Sequence, residues 1–183
     1  MPQDDRSMVL TVGHGTASQE ELEALLTGAD VAAVVDVRRH PGSRRHPHVA
    51  RDRLATWLTA AGIGYRWEER LGGRRRRAPD SPHTGLRHPS FQAYADHLGT
   101  REFREAIEPV LAEARHNRVA VLCSESVWWR CHRRLIADHV TLLTDVPLRH
   151  LLPDGRLDAH HPTDVVRVEG GRLVYDGGEP TLL

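Results

Sequence analysis

A chain of 183 residues in which 25 basic side chains balance 25 acidic ones can bury a full hydrophobic core in one domain. Its zero formal charge excludes a global field drawing it onto nucleic acid or an anionic membrane. Two cysteines, Cys123 and Cys131, are too few for a secreted disulfide scaffold. The start, Met1 to Ser7, is polar rather than an apolar signal segment, and no apolar stretch approaches the roughly 20 residues that span a bilayer. The expectation is a cytoplasmic protein with no membrane partner.

Met8 to Gly13 is β-rich and ends in glycine. Ser18, followed by Glu20, Glu21 and Glu23, caps a helix bearing Leu22, Leu25 and Leu26. Val31 to Val37 is a nearly continuous apolar run, as in a strand buried on both faces of a parallel sheet. Leu54, Trp57, Leu58 and Ala61 then recur at helical spacing over Arg51 to Ala61, and Gly62 stops the helix. Ile63 to Trp67 reads as a third strand. Gly72 to His88, rich in Gly, Pro and Arg, is the one long loop. Helices follow over Ser90 to Leu98 and Arg101 to Arg115, the second with an apolar stripe through Phe103, Ile107, Val110, Leu111 and Ala114. Val119 to Leu122 is a core strand, Trp129 to Val140 a helix and Val146 to Leu151 a last strand. Val165 to Tyr175 reads as a hairpin turning at Gly170-Gly171.

This alternation predicts an α/β fold: a three-layer, Rossmann-like, mostly parallel sheet over residues 1–151, with a C-terminal extension over 152–183 that carries a small β-hairpin appendage. In such sheets ligands bind beyond the carboxyl ends of the strands. Those ends deliver His14; Asp36, Arg38 and Ser43; Glu68 and Arg70; and Cys123, Ser124 and Glu125 ahead of Arg130, Cys131, His132 and Arg133. Nearly every one of these positions can ionise, donate a hydrogen bond or turn tightly, as a site requires.

The pieces Thr11-Val12-Gly13-His14-Gly15, Val35-Asp36-Val37-Arg38 with Pro41 and Ser43, Gly62-Ile63 with Tyr65, Leu71-Gly72-Gly73, Phe91 with Tyr94, and Leu122-Cys123-Ser124-Glu125 leading to Cys131-His132-Arg133 run in one order. Together they resemble the domain of unknown function 488 family from about Val9 to Leu151. The family usually has Ser or Thr where Gly15 stands and commonly Ala where Ser124 stands, which argues against a hydroxyl role at position 124. The resemblance implies a compact α/β fold and a shared polar site, and carries no reaction with it.

Cys123 before a helix with Arg130 near its start suggests an anion-binding thiolate loop. However, one more residue intervenes than in a phosphatase loop and none is glycine, so a buried structural thiol is the stronger reading. Cys123, Cys131 and His132, with His14, offer metal-ligating types. Zinc prefers about two to four residues between a local pair, and adjacent residues on a helix point apart, so no metal site is assigned and no cofactor is named. Asp36 and Glu125 follow apolar strands into places where burial and nearby arginines pull their acidity in opposite directions; a fold-fixing ion pair between Asp36 and Arg38 would look the same. Every basic residue is arginine and none is lysine. The clusters Arg38-Arg39, Arg44-Arg45 and Arg74 to Arg77 suit phosphate, although biased composition also produces surface arginines. Trp128 and Trp129 supply one base-stacking ring at most, since consecutive residues cannot both face a ligand.

The leading expectation is an enzyme acting on a phosphate-bearing substrate, a nucleotide or nucleic acid. Arg38, Arg130 and Arg133 hold the anion with Ser43, Arg70 and Trp128, His14 and Glu125 move protons, Asp36 orients a basic partner, and His132 joins the catalytic group. One alternative is a non-catalytic nucleic-acid-binding or regulatory module using the same arginines. Another is a cysteine-dependent enzyme in which Cys123 attacks an electrophile.

Overall fold

A computed structural model describes residues 5–178. The parts of the N-terminal and C-terminal readings at residues 1–4 and 179–183 lie outside the described residues. The chain runs β1 (Met8–Gly13), α1 (Gln19–Gly28), β2 (Val31–Asp36), α2 (Arg51–Ala60), β3 (Gly64–Trp67), α3 (Pro89–Leu98), α4 (Arg101–Ala114), β4 (Arg118–Cys123), α5 (Arg133–Leu143), β5 (Leu148–Leu151), β6 (Leu157–Ala159), β7 (Val166–Glu169) and β8 (Arg172–Tyr175). Local chemistry sets several of these boundaries. Ser18 and Glu21 form a reciprocal capping box that starts α1, and Thr100 accepts the Phe103 N–H to start α4.

The main sheet has the order β3-β2-β4-β1-β5-β6, with all pairs parallel except β5 with β6. Successive side chains of its central strands go to opposite faces, and both faces are covered. Val9, Val35, Val119 and Val121 pack with α3, α4 and α5 on one side. Met8, Leu10, Val12, Val34, Ala120 and Leu122 pack with α1 and α2 on the other. The three-layer α/β architecture and the C-terminal hairpin of β7 and β8 are therefore those the periodicity predicts.

The start of α5 and the strand β6 depart most from expectation. The last helix begins at Arg133 rather than Trp129, because Trp128–Arg130 forms a 3-10 turn and Cys131 after it is extended. β6 is an additional strand; it is short and partly exposed, so it lacks an apolar run to announce it. The hairpin contributes Leu173 and Tyr175 to the same core as α3, α4 and α5. No helix among the described residues is long and apolar enough to cross a membrane.

Candidate functional site

Strand order decides where a site can form. β1 and β4 are neighbours, yet β1 leads into α1 on one face and β4 into α5 on the other, so the chain parts beyond their carboxyl ends and leaves a crevice. Pairing persists to its rim: the His14 N–H donates to the Cys123 carbonyl at 3.0 Å, Gly15 N–H to Ser124 at 2.9 Å, and Val37 N–H to Leu122 at 3.0 Å. Gly13 permits this closeness, since a Cβ there would lie 1.8 Å from the Glu125 carbonyl oxygen.

The crevice opens into a cavity of about 960 Å³, ample for a small ligand. Of the residues singled out from the sequence, His14, Arg38, Ser43, Cys123, Glu125, Arg130 and His132 line it. Asp36, Arg70, Trp128 and Arg133 do not, each for a visible reason.

Asp36 is fully buried and holds Arg38 from behind. Its Oδ1 accepts from Arg38 Nε at 2.8 Å, and its Oδ2 accepts from Arg38 Nη2 and the Tyr65 hydroxyl, each at 2.7 Å. Arg38 Nη2 also donates to the Val49 carbonyl, which leaves Nη1 as the guanidinium nitrogen with no bond to a described residue. Arg70 turns instead to Glu68, in a bidentate pair with both contacts at 2.8 Å. Trp128 is buried flat against the His150 ring, with centroids 4.0 Å apart and planes 3° off parallel; its neighbour Trp129, 53% exposed, lines the cavity in its place.

Arg133 is 1% exposed. Its Nη2 donates to the Glu125 carbonyl, its Nε has no partner, and it pairs with no carboxylate among the described residues. At the cavity floor, the Cys123 and Cys131 sulfurs lie 3.2 Å apart and His132 Nδ1 is 3.6 Å from the Cys131 sulfur. The proton is shared unequally. Cys131 is pulled down to about 6 by its hydrogen bond with Cys123, against burial and with help from the Arg133 charge and backbone N–H. Cys123 is pushed up to about 12 by keeping the proton and by burial. These two sulfurs and the His132 ring, with ligand atoms all within 4.8 Å of one another, are the group that could hold a soft metal ion. The argument that Cys131 and His132 point apart assumed one continuous helix, and the extended Cys131 removes that assumption.

His14 differs from the other rim histidines in that its protonation is fixed by geometry. Nδ1 is 2.9 Å from the Gly15 carbonyl, which can only accept, so in the neutral ring Nε2 carries the lone pair. Burial, aided by the Arg38 charge, lowers its pKa to about 4. Around this floor stand Arg39, Arg44, Arg45, Arg74 and Arg130, with Phe91 and Tyr94 as the apolar wall. Phe91 and Tyr94 entered the sequence reading only through the family resemblance. Their α3 stripe reads as core, and nothing in it marks the one edge that stays open.

A family model for the domain of unknown function DUF488 matches residues 18–140. The chain belongs to the DUF488 family. No curated protein and no solved structure matches it. The stretch matched to DUF488 contains Asp36, Arg38, Cys123, Glu125 and Cys131-His132-Arg133, and it begins after His14.

Proposed function

We propose that the cavity binds a phosphate-bearing substrate, a nucleotide or a nucleic-acid segment, and performs acid–base chemistry on it. The observation that carries this reading is the imbalance of charge on the walls. Arg39, Arg44, Arg45, Arg74 and Arg130 line the cavity without a carboxylate partner among the described residues, against the one acidic side chain of Glu125. A cleft lined by one sign of charge focuses the field on an anion, and guanidinium forks match phosphate oxygens two at a time. Arg38, locked by Asp36, adds a donor of fixed direction. Trp129 offers an exposed ring on which a base can stack.

Glu125 is exposed on the rim, its Oε1 accepting the Val127 N–H at 3.1 Å. In this reading its carboxylate accepts a proton from the attacking hydroxyl or water. The Nε2 lone pair of His14 orients that group without becoming charged, since its pKa is near 4.

Fluorescence anisotropy with short single-stranded DNA, RNA and a nucleoside triphosphate over a salt series tests the binding half. Affinity should fall steeply as salt rises, and Arg44→Ala with Arg130→Ala should weaken it by at least about tenfold and flatten the slope. An affinity indifferent to ionic strength would refute the reading. For the chemical half, Glu125→Gln should lower hydrolytic turnover of bound substrate by about 100-fold or more with affinity within about twofold. Salt-sensitive binding with no turnover of any of these substrates would instead assign the cavity to a non-catalytic binding module.

A further inference from the structure

We infer that Cys131 and Cys123 are a redox-active dithiol, Cys131 the attacking sulfur and Cys123 the resolving one, which cycles through an internal disulfide at the cavity floor. The inference stands on the placement of the sulfurs and does not depend on the phosphate reading. Both thiols are buried within the fold, yet both border the cavity, so a small electrophile can reach them while a protein surface cannot. Cys123 is fixed as the last residue of β4 and Cys131 is extended ahead of α5. Their sulfurs are already 3.2 Å apart, against the roughly 2.0 Å of a disulfide.

The division of labour follows from Arg133. A guanidinium buried to 1% exposure with no carboxylate partner among the described residues is costly unless a negative charge stands beside it. Asp138, on the same helix, is already taken by His160, Thr163 and Tyr175. The Cys131 sulfur, two residues before Arg133 and under the influence of its charge, is the group able to carry that negative charge. Cys123, whose sulfur faces that of Cys131 at 3.2 Å, is the group placed to resolve an adduct on Cys131.

With a low-molecular-weight disulfide RS–SR as oxidant, the Cys131 thiolate attacks one sulfur. The substrate S–S bond breaks, RS⁻ leaves and takes a proton from solvent, and a Cys131–S–S–R mixed disulfide remains. Cys123 then gives up its proton, and its sulfur attacks that of Cys131, forming the internal disulfide and expelling the second RS⁻. Two electrons pass from the pair to RS–SR, giving two RSH. An external thiol reductant reverses the sequence. The arginine rim favours an anionic RS–SR such as oxidised glutathione over cationic cystamine.

The test uses the full chain. After incubation with oxidised glutathione and alkylation of remaining thiols, intact mass should show a species lighter by two hydrogens with neither cysteine alkylated, restored by dithiothreitol. Cys123→Ser should stop at a stable glutathione adduct on Cys131, and Cys131→Ser should form an adduct at least about tenfold more slowly. Cystamine should react more slowly than oxidised glutathione at low salt, with the gap closing as salt rises. The wild-type measurement needs no substitution, so a variant that fails to fold does not shield the inference. Two thiols that stay free from fully reducing to fully oxidising glutathione would overturn it. So would single variants that exchange equally fast, or a tightly held zinc ion that keeps both sulfurs inert until it is chelated.

Discussion

Arg38 reaches the cavity from a fixed direction because Asp36 commits both carboxylate oxygens to it. The pair is almost wholly buried, so removing one charge strands the other. Asp36→Asn should cost about 3–5 kcal/mol in urea unfolding and should weaken anion binding. Tyr65→Phe, which deletes only the hydroxyl's hydrogen bond to that carboxylate, should cost about 1 kcal/mol. An Asp36→Asn cost no larger than that of Tyr65→Phe would contradict the buried-pair account. At this scale the sequence was informative about types and poor about direction. It placed Asp36 beside Arg38 and left pairing and chemistry both open, since two residues along an extended chain satisfy either. It assigned Trp128 to the ligand where Trp129 faces the cavity, and missed that Arg133 turns inward, because both depend on where the helix begins. Cys131 was given no role beyond that of a metal-ligating type.

Among the elements, the alternation of strands and helices was largely legible, because strands buried on both faces must be mostly apolar, and Val31 to Val37, Asp36 aside, and Val119 to Leu122 are. The short edge strand β6 was not, since an edge strand with one solvent face carries no such run. Nor could local pattern reveal what ties the C-terminal elements to α5. Asp138, in that helix, accepts hydrogen bonds from His160 Nε2 at 2.7 Å, from Thr163 through its N–H at 3.1 Å and its hydroxyl at 2.8 Å, and from the Tyr175 hydroxyl at 2.9 Å. His160 in turn meets His150 at 2.9 Å, and His150 meets Thr11 of β1 at 2.6 Å. All of Asp138's partners donate, so Asp138→Asn places an amide N–H₂ against donors and should cost about 2–3 kcal/mol. Tyr175→Ala, which also empties a fully buried position in the core, should cost about 3–5 kcal/mol. Thermal melts of the two variants would check both; a Tyr175→Ala melt unchanged from wild type would show that the hairpin is not part of the cooperative fold.

For the molecule as a whole, buried neutral histidines set the response to acid. Burial lowers the pKa of His14 and His139 to about 4, and burial with the neighbouring His160 lowers that of His150 to about 3. Each lies below the unfolded value near 6.5, so between these limits the unfolded chain takes up protons that the fold refuses. Stability is therefore complete above about pH 6.5 and declines as pH falls towards 4, by roughly 2 kcal/mol or more. Urea midpoints measured from neutral pH downward should drop over this window; a flat profile from pH 7 to about 4.5 would show that these rings are protonated in the folded state. The anchoring of α5 by residues 160–175 has a consequence for synthesis. A ribosome releases β1 to β5 before Thr163 and Tyr175, so the helix behind Cys131 and Arg133 gains its final anchor only after residue 175 has emerged. Nascent chains arrested short of residue 160 should hold a sheet but no finished crevice, and the order of assembly thereby delays any reactive thiolate until the surrounding walls exist.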